Sequence, residues 1–172
     1  MKRTLLAVLL LVIGVFSPAL IPLLWHFRHG DVVEYKGKLV PVPRNWYPSV
    51  EFQRLDISQP PLTVFFLWGP APAWSFLEPL SGPRPTSVEE GYRSFETYYR
   101  AYRVTPGNDV TGPLRMGHGD GEASCMKQSP IRGDGSTTVS CLLFAGTWMA
   151  EFVGRTNAAE DFLQIIRGTQ EK

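Results

Sequence analysis

The run Thr4–Trp25, TLLAVLLLVIGVFSPALIPLLW, constrains this chain more than any other stretch: it is 22 consecutive residues without a charge. At a helical rise of about 1.5 Å per residue, a run of this length crosses a hydrocarbon core of roughly 30 Å. Two fates fit it. Lys2 and Arg3 ahead of Leu5–Phe16, with Ser17 and Ala19 at the −3 and −1 positions of a cut, have the form of a secretory signal peptide. Cleavage after Ala19 would leave LIPLLWHF as a greasy new N-terminus, whereas Trp25 stands where interfacial aromatics usually lie. An uncleaved single-pass anchor is therefore the expected reading. Pro18 and Pro22 are compatible with it when the freed carbonyls find partners. Lys2, Arg3 and the terminal amine have no acid nearby, which predicts that this end stays in the cytoplasm and the rest of the chain lies outside.

The expected division is thus 1–29, transmembrane anchor or signal peptide, and 30–172, one extracytoplasmic domain. The chain is 44% apolar overall, as in a globular protein. All 16 acidic residues lie beyond residue 30, where they nearly balance the bases, and no basic stripe is present to recruit nucleic acid.

Beyond residue 30, VVEY, a Lys36-Gly37 turn and KLVPVP read as a hairpin. Trp46 and Tyr47 follow as expected core residues. VEFQRLDIS and PLTVFFLWG read as a third and a fourth strand, the latter apolar enough to be covered on both faces. Residues 69–85, GPAPAWSFLEPLSGPRP, carry five prolines, and the spacing predicts a proline-rich insert that is neither helix nor central strand. Next comes a clear helix: Ser87 and Glu90 form a capping box, and Val88, Tyr92, Phe95, Tyr99 and Tyr102 recur at intervals of four and three. Residues 104–122 read as a glycine-rich loop.

Register arithmetic organises the remainder. A turn centred near residue 133 puts Cys125 opposite Cys141 on one sheet face. A second turn at Ala145-Gly146 pairs Leu143 with Trp148, Cys141 with Ala150 and Val139 with Phe152. One face then collects Cys125, Val139, Cys141, Leu143, Trp148, Ala150 and Phe152, and the reverse carries Met126, Leu142, Phe144, Met149 and Val153. A last helix is expected from Asn157, capped by that side chain with Glu160 closing the box, and with Phe162, Leu163, Ile165 and Ile166 as its stripe. The fold class is α+β: an antiparallel sheet of about six strands flanked by two amphipathic helices, one per face, preceded by one N-terminal transmembrane helix.

The order of these elements, with YKGKLVPVPRNWYP early and TTVSCLLFAGTWMAEFVGRTNAAEDFLQII as a closing meander and helix, resembles the PsbP-like family over residues 32–166. That resemblance implies a sheet flanked by helices and a non-catalytic accessory or assembly role. It supplies no catalytic residue, and the anchor and proline-rich insert depart from the family's compact form.

The candidate chemistry is sparse. Facing cysteines in an exported domain predict a structural Cys125–Cys141 disulfide rather than a redox pair, since the CxxC spacing is missing. Arg132, Gly133 and Asp134 read as turn residues rather than as an adhesion motif. His118, Asp120 and Glu122 in GHGDGE alternate possible metal ligands, although the intervening glycines favour a solvated loop, and closed zinc sites draw ligands from separate elements. His118 is also the one histidine beyond the membrane boundary that a hydrolytic or metal-dependent enzyme could use. Trp74, Phe76, Leu77 and Leu80 in the insert either cap the sheet or contact a protein partner or the membrane surface. On the partner reading, deleting residues 72–80 should leave the fold intact. No cofactor is expected. The function expected is a membrane-anchored, non-catalytic accessory or assembly domain acting through protein contacts, with an enzyme using His118 and a small-molecule or lipid-binding domain as alternatives.

Overall fold

The computed structural model describes residues 20–53, 62–80, 85–118, 121–130 and 135–172. The chain is α+β; the described residues form a main antiparallel sheet of seven strands, a small three-stranded sheet and three α-helices. The described part opens with a helix over residues 20–29, α1. No helix among the described residues is long and apolar enough to cross a membrane, and the expected leader lies mostly outside them.

The first hairpin forms as the sequence predicts, with β1 Val32–Tyr35 and β2 Lys38–Pro41. Lys36 and Gly37 both take positive φ, 47° and 77°, the mirror-image turn that matches strand twist. These strands stand apart from the main sheet, and β2 also pairs with β10, Gln170–Glu171, at the far end of the chain.

The main sheet contains β3 Tyr47–Gln53, β4 Leu62–Trp68, β5 Trp74–Pro79, β6 Asn108–His118, β7 Gly121–Pro130, β8 Ser136–Leu143 and β9 Trp148–Arg155, in the order β3-β4-β5-β9-β8-β7-β6. Both sequence-derived registers hold. Cys125 pairs with Cys141, and Leu143, Cys141 and Val139 pair with Trp148, Ala150 and Phe152.

Two expectations are overturned. The proline-rich segment 69–85 is not an insert, because its residues 74–79 are β5, a central strand between β4 and β9. Its prolines fall at 70, 72 and 79 and beyond, so the strand interior from Trp74 to Glu78 keeps every N–H that a central position needs. Deleting residues 72–80 would consequently remove the middle of the sheet. The glycine-rich stretch 104–122 is likewise not a loop; it contains β6, at the sheet edge. There, a register shift between Thr111 and Leu114 accommodates Gly112-Pro113 as a bulge.

The helices cover opposite faces. α3, Thr156–Gly168, lays Phe162, Ile165 and Ile166 on the face bearing Cys125, Val139, Cys141, Leu143, Trp148, Ala150 and Phe152. Phe152 stacks on Phe162 at 5.5 Å. Tyr35, Val40, Val42 and Trp46 complete that core from the small sheet and its exit loop. α3 starts at Thr156, one residue earlier than expected, without a side-chain cap. Asn157 does not serve, and the Thr156 hydroxyl instead donates to Gly135 O at 3.0 Å. α2, Val88–Tyr98, packs Tyr92 and Phe95 on Met126 and Leu142 of the reverse face. Ser87 caps it, accepting from Glu90 N, while the Glu90 carboxylate reaches the Thr86 N–H at 2.8 Å. A π-helical turn, Tyr99–Arg103, follows and adds a residue to the last turn. Tyr99 stays buried in the stripe, but Tyr102 rotates out to 76% exposure. Phe144 also leaves its expected face. It takes φ 51° in the β8–β9 turn and packs against the α3-side core.

Candidate functional site

The four residues expected to contact a partner sit in three different places, because strand alternation separates neighbours. Leu77 points into the α3-side core and is 3% exposed. Leu80, just past the strand, donates its N–H to Thr147 O and borders a cleft beside α2. Trp74 and Phe76 share the other face. They pair across to Trp68 and Phe66 and build a row of rings, with Phe66–Trp68 centroids 5.7 Å apart, Phe66–Trp74 6.0 Å and Trp74–Phe76 6.4 Å. α2 lies on this same face but over β7 and β8, and no described helix packs across the row on β4 and β5.

The row ends in a groove of 1020 Å³ between α1 and the β4–β5 turn, Gly69–Ala73. Ile21, Pro22 and Leu23 form one wall, and Tyr47, Trp68 and Trp74 form the other, with Arg44 at the rim. α1 is fixed beside this groove by His26, whose Nε2 donates to Pro43 O at 2.9 Å and Trp46 O at 3.1 Å. Its Nδ1 lies 2.9 Å from the Asp31 carboxylate.

A second concavity, of 280 Å³, lies where the π-helical turn crosses β8 and β9. Glu151 stands in it with only 9% of its side chain exposed; it is paired with Arg103, and Ser140 Oγ donates to it at 3.1 Å. Both bonds land on Oε2. The Tyr99 hydroxyl, also lining the cavity, is buried beside Ser140 and makes no hydrogen bond of normal geometry among the described residues. Burial, and secondarily the Glu151 charge, push its pKa above the usual phenol value, so it stays a neutral hydroxyl at ordinary pH. Hydrogen bonding to Glu151 holds the Arg103 guanidinium above its usual range. The arrangement offers hydrogen bonds of both polarities at zero net charge. The sequence reading missed this cluster, although the register it derived places Ser140 directly opposite Glu151. The available signal was a lone acid inside the otherwise apolar strand WMAEFV.

The disulfide forms as expected. Cys125 and Cys141 are bonded across the β7–β8 pair, with Cα atoms 4.1 Å apart, and both are buried. Of the possible metal ligands, Asp120 and the His118 side chain lie outside the described residues, as do Arg132, Gly133 and Asp134. Glu122 is placed on β7, its carboxylate 3.9 Å from Arg115, and its backbone carbonyl accepts from the Tyr92 hydroxyl. Among the described residues, no group of three His, Cys, Asp or Glu side chains converges on a point that could hold a metal. A comparison with known proteins finds no family model that matches this chain and no curated protein that matches it.

Proposed function

We propose that the chain is a single-pass, membrane-anchored domain held outside the cytoplasm, acting as a non-catalytic accessory or assembly factor through contact with another membrane protein. The observation that carries this reading is the aromatic row Phe66, Trp68, Trp74 and Phe76: among the described residues no helix packs across it, on a face that α2 covers over β7 and β8, and Trp68, Trp74 and Phe76 are half-buried beside the buried Phe66. The row starts beside α1, at the end of the chain that the anchor reading places in the bilayer, so a partner in the same membrane would meet it. The resemblance to the PsbP-like family, with its accessory roles, and a disulfide suited to an oxidising compartment agree with this.

The test is a photo-crosslinking amino acid at Phe76, with Leu114 on the far edge strand as control, in native membranes. One discrete adduct from position 76, absent from 114 and lost in a folded Phe66→Asp variant, is expected. Equal adducts from both positions would refute the proposal. A second reading, binding of a small polar molecule, is favoured by the buried Tyr99 hydroxyl, which makes no hydrogen bond of normal geometry among the described residues and lines one concavity with Ser140 and Glu151. Native mass spectrometry of the purified chain would then show a retained mass that Glu151→Gln releases; an unmodified mass for both proteins would eliminate it.

A further inference from the structure

We propose that the β4–β5 turn, Gly69–Ala73, together with the rings of Trp68 and Trp74, sits in the headgroup layer of the bilayer that receives the N-terminal segment. This rests on the anchor reading and adds to it a second, loop-borne membrane contact with a lipid surface as the occupant of the α1 groove.

The uncharged run ends at Trp25, and its last six residues, 20–25, already belong to α1. If Trp25 marks the interface, residues 21–23 lie on the membrane side of it, about 3–6 Å deeper at helical rise. Those residues form one wall of the groove, and the β4–β5 turn forms the other. The turn is thereby carried to the same depth. α1 does not swing free of the domain, because His26 bonds to Pro43 O and Trp46 O, and Trp46 is wholly buried. Leu23 and Leu24 are 62% and 64% exposed, as expected of side chains that face lipid.

The chemistry of the turn suits the same placement. Lipid punishes open backbone donors, since nothing there can accept from them. In GPAPA, Pro70 and Pro72 have no N–H, Gly69 N donates to Ala73 O at 2.9 Å, and Ala73 N donates to Pro70 O at 2.8 Å. Among the described residues, the Ala71 N–H is the one donor of the turn without a hydrogen bond. The Trp68 indole N–H is satisfied by Ser49 Oγ at 2.8 Å, so that ring too can leave bulk water at little cost. The groove lining contains Arg44 and no acidic residue, a charge of the sign that anionic headgroups attract. The prolines that make the segment look like a linker in sequence are, on this reading, what lets a turn approach lipid.

The experiment uses the full chain in vesicles of phosphatidylcholine and phosphatidylglycerol, with the disulfide left oxidised. Ala71→Cys, at the exposed tip, carries an environment-sensitive fluorophore, and Leu114→Cys carries the same label as reference. Lipids spin-labelled near the headgroup should quench the label at 71 several-fold more than that at 114, while aqueous iodide should quench 71 less. Quenching of 71 by iodide and not by lipid, in protein that resists alkaline carbonate extraction, would overturn the loop contact and leave the anchor standing. Protection of 71 from both quenchers would show a protein, or a second copy of the chain, in the groove, and would also overturn it. Release of the chain by carbonate would overturn the anchor and this placement together.

Discussion

Reducing the Cys125–Cys141 bond should lower the stability of the domain without changing its fold. The bond closes a loop of 15 residues, the β7–β8 hairpin. In the chain-entropy model, a loop of that length restricts the unfolded ensemble by about 3 kcal/mol. For a chain of this size a kilocalorie shifts the melting temperature by about 2–4 °C, so reduction should lower the midpoint by about 6–12 °C. The fold should persist because neither strand depends on the bond for its place: β7 is also held by β6, and β8 by β9. Both cysteines sit in the α3-side core beside Val139 and Ala150, so reduction exposes no new surface. The assay is thermal unfolding followed by far-ultraviolet circular dichroism of the detergent-solubilised chain. Four samples are compared: wild type and Cys125→Ala/Cys141→Ala, each with and without reductant. Reductant should lower the wild-type midpoint and leave the double variant where it was. Coincident wild-type melts, or an equal drop in the variant that has no bond to lose, would show that loop closure does not contribute as reasoned.

Three further outcomes follow from the packing and the charges. Gly69→Ala would place a Cβ 2.6 Å from the ring of the buried Trp46 and should cost about 1–3 kcal/mol in urea unfolding; a neutral result would mean that the indole can shift. Arg103→Ala leaves Glu151 buried beside Ser140 alone. With Arg103 itself 43% exposed, the loss should be about 1–2 kcal/mol, and adding Glu151→Gln should recover part of it; a double variant weaker than the single one would contradict the pairing. Burial first, then Glu122 and Glu151 respectively, raise the Tyr92 and Tyr99 hydroxyls above the ordinary 10.0. Their protonated forms are thus favoured by folding, so that contribution is complete below pH 10 and is lost as pH rises through the higher folded values. Tyrosinate absorbance should lag in the folded chain and rise together with unfolding; full ionisation near pH 10 with unchanged circular dichroism would disprove this.

What the sequence determined was local. Lys36-Gly37 and Ala145-Gly146 specify tight turns, and a tight turn sets the pairing of every residue on its two strands. The β8–β9 register and the Cys125–Cys141 pairing could therefore be derived by counting from turn positions. The Ser87 cap and the Tyr92, Phe95, Tyr99 spacing specify α2 in the same way. Only the tertiary structure decided which strands lie side by side. β5 enters the sheet between β4, which ends at Trp68, and β9, which starts only at Trp148, and nothing near Trp74 announces that distant neighbour. Its prolines argued for a loop, yet they stand at the strand ends, where no ladder bond is lost. That placement sent Leu77 into the core and Trp74 and Phe76, half-buried, to the opposite face, and it brought the Gly69–Ala73 turn to the groove beside α1. Likewise Tyr99, Arg103, Ser140 and Glu151 come from three elements that meet only when α2 settles on the sheet. Turns and caps act over a few residues and leave a signal in the sequence; strand neighbours and convergent side chains depend on burial summed over the whole domain, which no short window contains.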